Sequence, residues 1–183
     1  LAELIVVEHP EDMSVLVDKR GIIQTMSALK SPVLATDGNE QVCTNVLKSK
    51  DSLCYLFNQG NIENPEMSSL ILGFERPNNA QSAKLVLNVK NSYWLDYIYG
   101  KFNEQFGTFF NEFNKRQKKV PQQKNVQWAL DQGIPLSVYV GTSTGWQFVD
   151  YINTVGPLAS RDVVVAVPLS EVSGDNVRIK LEC

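Results

Sequence analysis

Aromatic residues with a polar edge are the part of this sequence best suited to binding chemistry. Each has a flat apolar face for stacking on sugar rings or anchoring a protein partner, and an N–H or O–H group at its edge. Burial in a hydrophobic core is the alternative, because tryptophan is highly buried on average. The residues are Trp94, Tyr97, Tyr99, Trp128, Tyr139, Trp146 and Tyr151.

Trp146 is the strongest candidate among them. The polar segment 141–145, which begins and ends with glycine, comes directly before it. We expect this segment to be a flexible loop that presents the indole near the rim of the domain, where binding residues are often carried. The sequence therefore predicts a ligand-binding site that includes Trp146, Tyr139, Tyr151 and Trp94.

Catalytic residues are not predicted. His9 is the only histidine, so any histidine base or Ser-His-Asp triad would have to use it. It lies before Pro10 among carboxylates, in a position typical of a solvated turn. The sequence contains no nucleophile-elbow, P-loop or dinucleotide-binding motif. We therefore expect a protein that is not an enzyme.

Paired carboxylates are the one catalytic alternative, because they need no histidine. A glycoside hydrolase could use Asp150 with Asp162, or Asp96 with Glu104, if the fold held the two acids roughly 5–10 Å apart. Acidic residues at strand ends and on solvated helix faces are common, however. A carboxylate-based glycoside hydrolase is therefore the less favoured hypothesis.

Metal and cofactor sites are not predicted either. With one histidine and no Cys-x-x-Cys motif, the sequence argues against zinc. The turns at 37–40 and 174–176 offer oxygen ligands for a structural calcium ion, yet both fall short of a known calcium loop and have the composition of ordinary turns. A disulfide between Cys43 and Cys54 is sterically possible. The alternative is that these two cysteines and Cys183 are free thiols that are buried or have no role.

The length and net charge of the chain limit the classes of protein to which it can belong. The chain has 183 residues, enough for one domain with a substantial core, and a net charge of -3. Nucleic acid is therefore not an expected partner, since no global positive field attracts it. No run approaches the roughly 20 apolar residues of a membrane helix, so membrane insertion is not expected. Because the sequence opens at Leu1 without a leader and stops within a strand-like alternation at Cys183, we expect a domain excised from a longer protein.

Short strands separated by turns are predicted over most of the chain. Segments 14–17 and 21–25 flank Asp18 and Gly21 as a β-hairpin, whereas 30–45 is predicted as a loop. Clear alternation marks segment 83–90. The other predicted strands are 3–8, 54–57, 69–74, 135–140, 146–151, 162–168 and 176–182.

A long helix interrupts the strands. Residues 93–119 carry an apolar stripe on a 3.6-residue period, and we expect this aromatic face to be buried. Ser92 is a suitable N-cap and Pro121 ends the helix. A second, short helix is predicted at 125–132, closed by Gly133, so the helical excursion spans 93–132. The stripe consists of Trp94, Ile98, Phe102, Phe106, Phe109 and Phe113.

The strand rhythm resembles that of galactose-binding-like jelly-roll domains. It is carried by residues 70–77 (LILGFERP), 83–90 (AKLVLNVK), 163–170 (VVVAVPLS) and 177–181 (VRIKL), about half of the chain. Such domains often have a strand that ends in Pro-Leu-Ser, then a tight turn and a strand of the type Val-Arg-Ile-x-Leu. The resemblance implies a binding or accessory module, sometimes with a structural calcium ion. The helix at 93–119 departs from that family's pattern.

The predicted architecture is a mainly β protein: one antiparallel β-sandwich domain over residues 1–183, of the jelly-roll type, with one long helix packed on a face or an edge. The expected function is a non-catalytic recognition module, with carbohydrate as its expected ligand, within a larger extracytoplasmic bacterial protein. The alternative is a structural or protein-interaction domain that docks a neighbouring domain. That alternative predicts an exposed apolar patch.

Overall fold

A computed structural model describes residues 6–18, 21–27, 29–57, 67–156 and 159–183. Within these ranges the chain is mainly antiparallel β, with open sheets and three α-helices. The strands are β1 Met13–Val17, β2 Ile23–Ser27, β3 Leu34–Asp37, β4 Ser69–Glu75, β5 Ser82–Val89, β6 Leu136–Thr142, β7 Gly145–Ile152, β8 Arg161–Pro168 and β9 Asn176–Glu182. The helices are α1 Tyr93–Glu104, α2 Phe110–Gln117 and α3 Gln122–Asp131.

The strands form three sheets. The largest has five strands in the order β3-β4-β9-β6-β7, and the pairs β1-β2 and β5-β8 form the other two. All pairings are antiparallel. Strand β9, the last in the chain, therefore lies at the centre of the large sheet, between β4 and β6.

One hydrophobic core joins the large sheet to the β5-β8 pair. Along β9, Val177, Ile179 and Leu181 are buried, whereas Arg178 between them is exposed. This alternation follows from the period of two in a strand and assigns one face of the sheet to the core and the other to the outside. The largest fully buried side chains of the core come from both sheets and the turn after β8: Leu70, Leu169, Ile179, Val138, Val140, Val165 and Val167.

The predicted hairpin is present, and two other predictions about the first half were wrong. Strands β1 and β2 pair antiparallel, with Gly21 at φ +79° in the left-handed region that glycine tolerates. The predicted loop 30–45 contains β3, whose Ala35 is fully buried. Segment 54–57, predicted as a strand, is irregular. The predicted strand 3–8 lies partly outside the described residues, and its residues 6–8 are not in a strand.

The long helix of the prediction is two helices. Ser92 caps α1 as expected, its Oγ accepting a hydrogen bond from the Leu95 amide at 3.2 Å. The helical course is interrupted at Gly107, which adopts φ +49° and starts a short 3-10 turn before α2. The break follows from glycine's access to positive φ, which an uninterrupted helix does not use.

Burial of the aromatic stripe was also predicted, and the structure differs. In the described segment 93–131, no residue of α1, α2 or α3 is buried. Part of the stripe instead folds back on itself across the bend, where Phe106 stacks on Phe113 with ring centroids 4.2 Å apart. The helices are therefore not buried in the core, and the single long helix of the prediction is absent from the described residues.

Helix α3 is closed by Gly133 as predicted, but it begins at Gln122, three residues before the predicted start at 125. It ends in a Schellman motif, in which the Gly133 amide donates to the Leu130 carbonyl and the Ile134 amide donates to the Ala129 carbonyl. Gly133 has φ +64°, the left-handed conformation that this motif requires. This turn leads directly into β6.

All three cysteines are free thiols. Burial is the main cause that raises the pKa of Cys183 to about 11, and the negative charge of Glu182 adds to it. Burial likewise raises the pKa of Cys43, with a contribution from Asp37. Cys54 is exposed.

Candidate functional site

The outer face of the large sheet brings three of the four predicted binding residues onto one surface. Tyr139 on β6 lies opposite Phe148 on β7, and Tyr151 lies opposite Ser137, two residues before Tyr139. Because residues two apart in a strand point to the same face, Tyr139, Tyr151 and Trp146 share it. We call the surface formed by Tyr139, Trp146, Phe148, Arg178 and Lys180 the aromatic sheet face.

Strand β9 supplies cations to this face. The Arg178 guanidinium lies 5.0 Å from the centroid of the Trp146 ring, and the Lys180 ammonium lies 4.4 Å from the centroid of Tyr139. Both distances are within the range of cation–π attraction. The rings of Tyr139 and Phe148 meet edge to face at 5.6 Å. These contacts hold the side chains in defined positions.

A glycine allows the indole to approach the neighbouring strand. Gly141 on β6 lies opposite Trp146. A Cβ at this position would lie 3.2 Å from the Cβ of Arg178 and 3.4 Å from a ring carbon of Trp146. The indole and the Arg178 side chain therefore use the space that a larger residue at 141 would fill.

The segment before Trp146 was predicted as a flexible loop and is instead a tight turn. Strand β6 runs to Thr142 and β7 starts at Gly145, so only Ser143 and Thr144 connect them. The Thr142 hydroxyl donates to the Gly145 carbonyl at 2.9 Å and accepts from the Thr144 amide at 3.3 Å. Trp146 is thus carried by a strand, 36% exposed, rather than by a mobile rim.

Glu182 connects the charged and aromatic parts of the face. Its carboxylate lies 2.7 Å from the Lys180 ammonium, and the two side chains are each only 18% exposed. Burial is the main cause that raises the pKa of the Tyr139 hydroxyl, and the negative charge of Glu182 raises it further. Tyr139 therefore stays protonated at neutral pH and keeps a hydrogen-bond donor on this face.

Helix α3 borders one end of the face. Tyr151 and α3 line a shallow depression in which amide side chains supply the polar groups, with Val126 as the apolar contact. The sequence offered no signal for this neighbourhood, because β6 and most of β7 lie between α3 and Tyr151 in the chain. The α3 amides are those of Gln122, Gln123 and Gln127.

Trp94, the fourth predicted residue, lies elsewhere. It is on α1, 68% exposed, with its ring stacked on Tyr97 at a centroid distance of 5.6 Å. It belongs to a set of exposed aromatic side chains of the helical segment, which we call the helical aromatic surface: Tyr93, Trp94, Tyr97, Phe102 and Phe109. Each of these five side chains is at least half exposed.

Sequence reasoning missed Phe148, Arg178, Lys180 and Gly141. The two cations alternate with buried residues on β9, so the sequence pattern does place them on the outer face. Their neighbours could not be inferred, since β9 follows β6 and β7 in the chain and inserts between β4 and β6.

The groups proposed for catalysis make contacts with other residues. His9 is exposed in an irregular segment, with Nδ1 2.9 Å from the carbonyl of Pro10. Asp96 and Glu104 are eight residues apart on α1, a rise of about 12 Å between their Cα atoms, and the Glu104 carboxylate pairs with Lys101 at 2.8 Å. Asp162 is held by Lys50 at 2.7 Å and by the Asn88 amide at 2.7 Å, while Asp150 accepts from the Tyr151 amide.

Among the described residues there is no cluster of three or more His, Cys, Asp or Glu side chains that could hold a metal ion. In the same part of the chain, no helix has the length and apolar character required to span a membrane. Comparison with protein-family models, with curated proteins and with solved structures yields no match for this chain.

Proposed function

We propose that this protein is a non-catalytic recognition module that binds carbohydrate on the aromatic sheet face. The proposal includes a β-sandwich of jelly-roll type, within a larger extracytoplasmic bacterial protein. The observation that supports it is the convergence of Trp146, Tyr139 and Phe148 on one outer face, next to charged side chains of β9.

The chemistry of the face suits a sugar. Indole and phenyl rings cover the apolar C–H face of a pyranose, and the surrounding polar groups take up its hydroxyls. Trp146 and Phe148 are 36% and 48% exposed, so both rings keep area for a ligand. Arg178 and Lys180 lie near the Trp146 ring and hold it in position beforehand, which lowers the entropy cost of binding.

Matched tryptophan variants test this function. The protein would be applied to a glycan array and then titrated with the best binders by calorimetry, as wild type, Trp146→Ala and Trp94→Ala. We expect Trp146→Ala to abolish binding and Trp94→Ala to retain it, because Trp94 lies on the helical aromatic surface. Absence of binding to every glycan, or equal loss in both variants, would contradict the proposal.

A second candidate function is supported by the helical aromatic surface. Five aromatic side chains of the helical segment are at least half exposed to solvent. Exposed groups of aromatic residues often mark interfaces with other proteins. In this alternative the protein is a structural or interaction domain that docks a neighbouring domain of the longer protein.

Hydrogen exchange distinguishes the two functions. If a neighbouring domain covers the helices, amides of 93–117 exchange more slowly in the longer protein than in this chain alone, and Trp94→Ala removes the difference. Equal exchange rates in the two proteins would exclude the docking function. The glycan experiment is independent of that outcome.

A further inference from the structure

We propose, on the premise that the aromatic sheet face binds carbohydrate, that its ligand is an acidic polysaccharide bearing carboxylate groups, and that Arg178 binds the carboxylate. Charge complementarity leads to this ligand class. An acidic ligand goes beyond the proposed function, because a neutral sugar would need only the aromatic rings and hydrogen-bonding groups of the face.

The two cations of the face differ in what neutralises them. Lys180 is paired with Glu182 at 2.7 Å, so its charge is largely offset within the protein. Arg178 is exposed, and in the described part of the chain its guanidinium lies next to the Trp146 ring and has no carboxylate partner. The net positive charge of the face therefore comes from Arg178.

Arginine suits a carboxylate better than other side chains do. Its planar guanidinium presents five N–H donors in a fork that matches the two oxygens of a carboxylate. Stacking near an indole leaves the donors at the edge of the guanidinium plane free to form such bonds. A guanidinium in this arrangement selects for a planar anion rather than for a hydroxyl.

The position of Arg178 next to Trp146 fits a uronic acid residue. The carboxylate of such a sugar is attached directly to the pyranose ring. The indole centroid and the guanidinium carbon are 5.0 Å apart, so one sugar residue in contact with Trp146 can reach Arg178 with its carboxylate. The chain as a whole is acidic, with net charge -3, so its overall charge does not attract polyanions. Binding of an acidic polysaccharide would therefore depend on the local contact with Arg178.

The test uses ligands that differ only in charge. Affinity gel electrophoresis and calorimetry would compare polygalacturonate with its fully methyl-esterified form, and alginate and hyaluronan would extend the acidic set. Two variants each remove one arginine charge: Arg178→Gln on the aromatic sheet face and Arg116→Gln on α2, which is exposed and pairs with Glu112 at 3.3 Å.

We expect an acidic polymer to bind wild type and Arg116→Gln equally, and Arg178→Gln about tenfold or more weakly, because a charged hydrogen-bonded pair is lost. The methyl ester should bind weakly to all three proteins. Wild-type binding of the acidic polymer should also fall steeply as NaCl rises to about 0.5 M, a measurement that needs no variant.

Other outcomes overturn the inference in distinguishable ways. Tight binding of neutral glycans, sensitive to Trp146→Ala but not to Arg178→Gln, would reject the acidic ligand and leave the proposed function intact. Binding to no glycan would reject both. Equal, Arg178-dependent binding of polyglutamate would assign the face to acidic polypeptide segments instead.

Discussion

The ammonium of Lys180 lies 4.4 Å from the ring centroid of Tyr139, its direct cross-strand neighbour between β9 and β6. The same ammonium is 2.7 Å from Glu182, so the phenol, the cation and the carboxylate form one group on the outer face of the large sheet. The ionisation of Tyr139 therefore reports on this face.

Replacing Glu182 by glutamine should lower the pKa of the Tyr139 hydroxyl. Burial, the main cause of its raised pKa, would remain, while the repulsion between tyrosinate and Glu182 would be lost. The measurement is an ultraviolet titration of tyrosinate, with Tyr139→Phe to assign the step. An unchanged step in Glu182→Gln would show that Glu182 does not act on Tyr139.

The raised pKa has a consequence for stability. A group whose folded pKa lies above its unfolded value contributes stability below the unfolded pKa, about 10 for tyrosine, and loses it as the pH rises through the folded value. As the pH rises above about 10, the free energy of unfolding measured with denaturant should therefore fall more for wild type than for Tyr139→Phe.

Gly141→Ala should disturb the aromatic sheet face. The added methyl group would lie 3.2 Å from the Arg178 Cβ, so the Arg178 side chain must shift by a few tenths of an ångström, and it would lie 3.4 Å from the indole, at the limit of ordinary contact. We expect a loss of about 1–3 kcal/mol in the free energy of unfolding, as for other overpacked sites, and a shift in Trp146 fluorescence. Gly73→Ala on β4 is the control, because its new Cβ would meet nothing closer than 3.7 Å. Similar behaviour of the two variants would contradict the close approach.

The ion pair between Lys50 and Asp162 should stabilise the fold at neutral pH and lose this contribution in acid. The hydrogen bond from Lys50 is the main cause that lowers the pKa of Asp162. A lowered pKa contributes stability above the unfolded value of about 4 and loses it as the pH falls through the folded value. Lys50→Gln should therefore lower the free energy of unfolding by about 0.5–1 kcal/mol at pH 7, a small value because the pair is partly exposed and screened by solvent. At pH 2 it should have almost no effect.

Lys30→Gln serves as the comparison for that variant. Lys30 and Glu75 are 3.2 Å apart, but both side chains are about two-thirds exposed, whereas Asp162 is 24% exposed. Unfolding in urea at pH 7 and pH 2 should show a smaller pH-dependent loss for Lys30→Gln. Equal losses would indicate that the burial of Asp162 adds nothing to the pair.

The two glycines of the helical segment should respond oppositely to alanine. Gly100 lies within α1 with open space at its Cβ position, so Gly100→Ala should stabilise α1 by up to about 1 kcal/mol. Gly107 has φ +49°, where alanine is strained, so Gly107→Ala should destabilise the bend. Hydrogen exchange across 93–117 measures both effects. Slower exchange in Gly107→Ala would mean that α1 and α2 can merge into one helix.

Local structure followed from the sequence where the signal is short-range. The alternation of β9, the Ser92 cap, the hairpin at Gly21 and the end of α3 at Gly133 depend on periodicity and backbone preference over a few residues. The helix break at Gly107 is also local, but a glycine inside a periodic apolar stripe does not by itself determine whether it takes a positive φ.

The candidate site was decided by tertiary structure. The aromatic residues Trp146, Tyr139 and Tyr151 could be chosen by their chemistry, and the β6-β7 hairpin joins them locally. The cations could not, because Arg178 reaches Trp146 only when β9 is inserted beside β6, and strand order depends on how the whole core is buried. The same cause separates Trp94 from the other three. The periodicity of α1 defined an apolar stripe, but only the packing of the entire chain could determine whether a partner within the domain covers it.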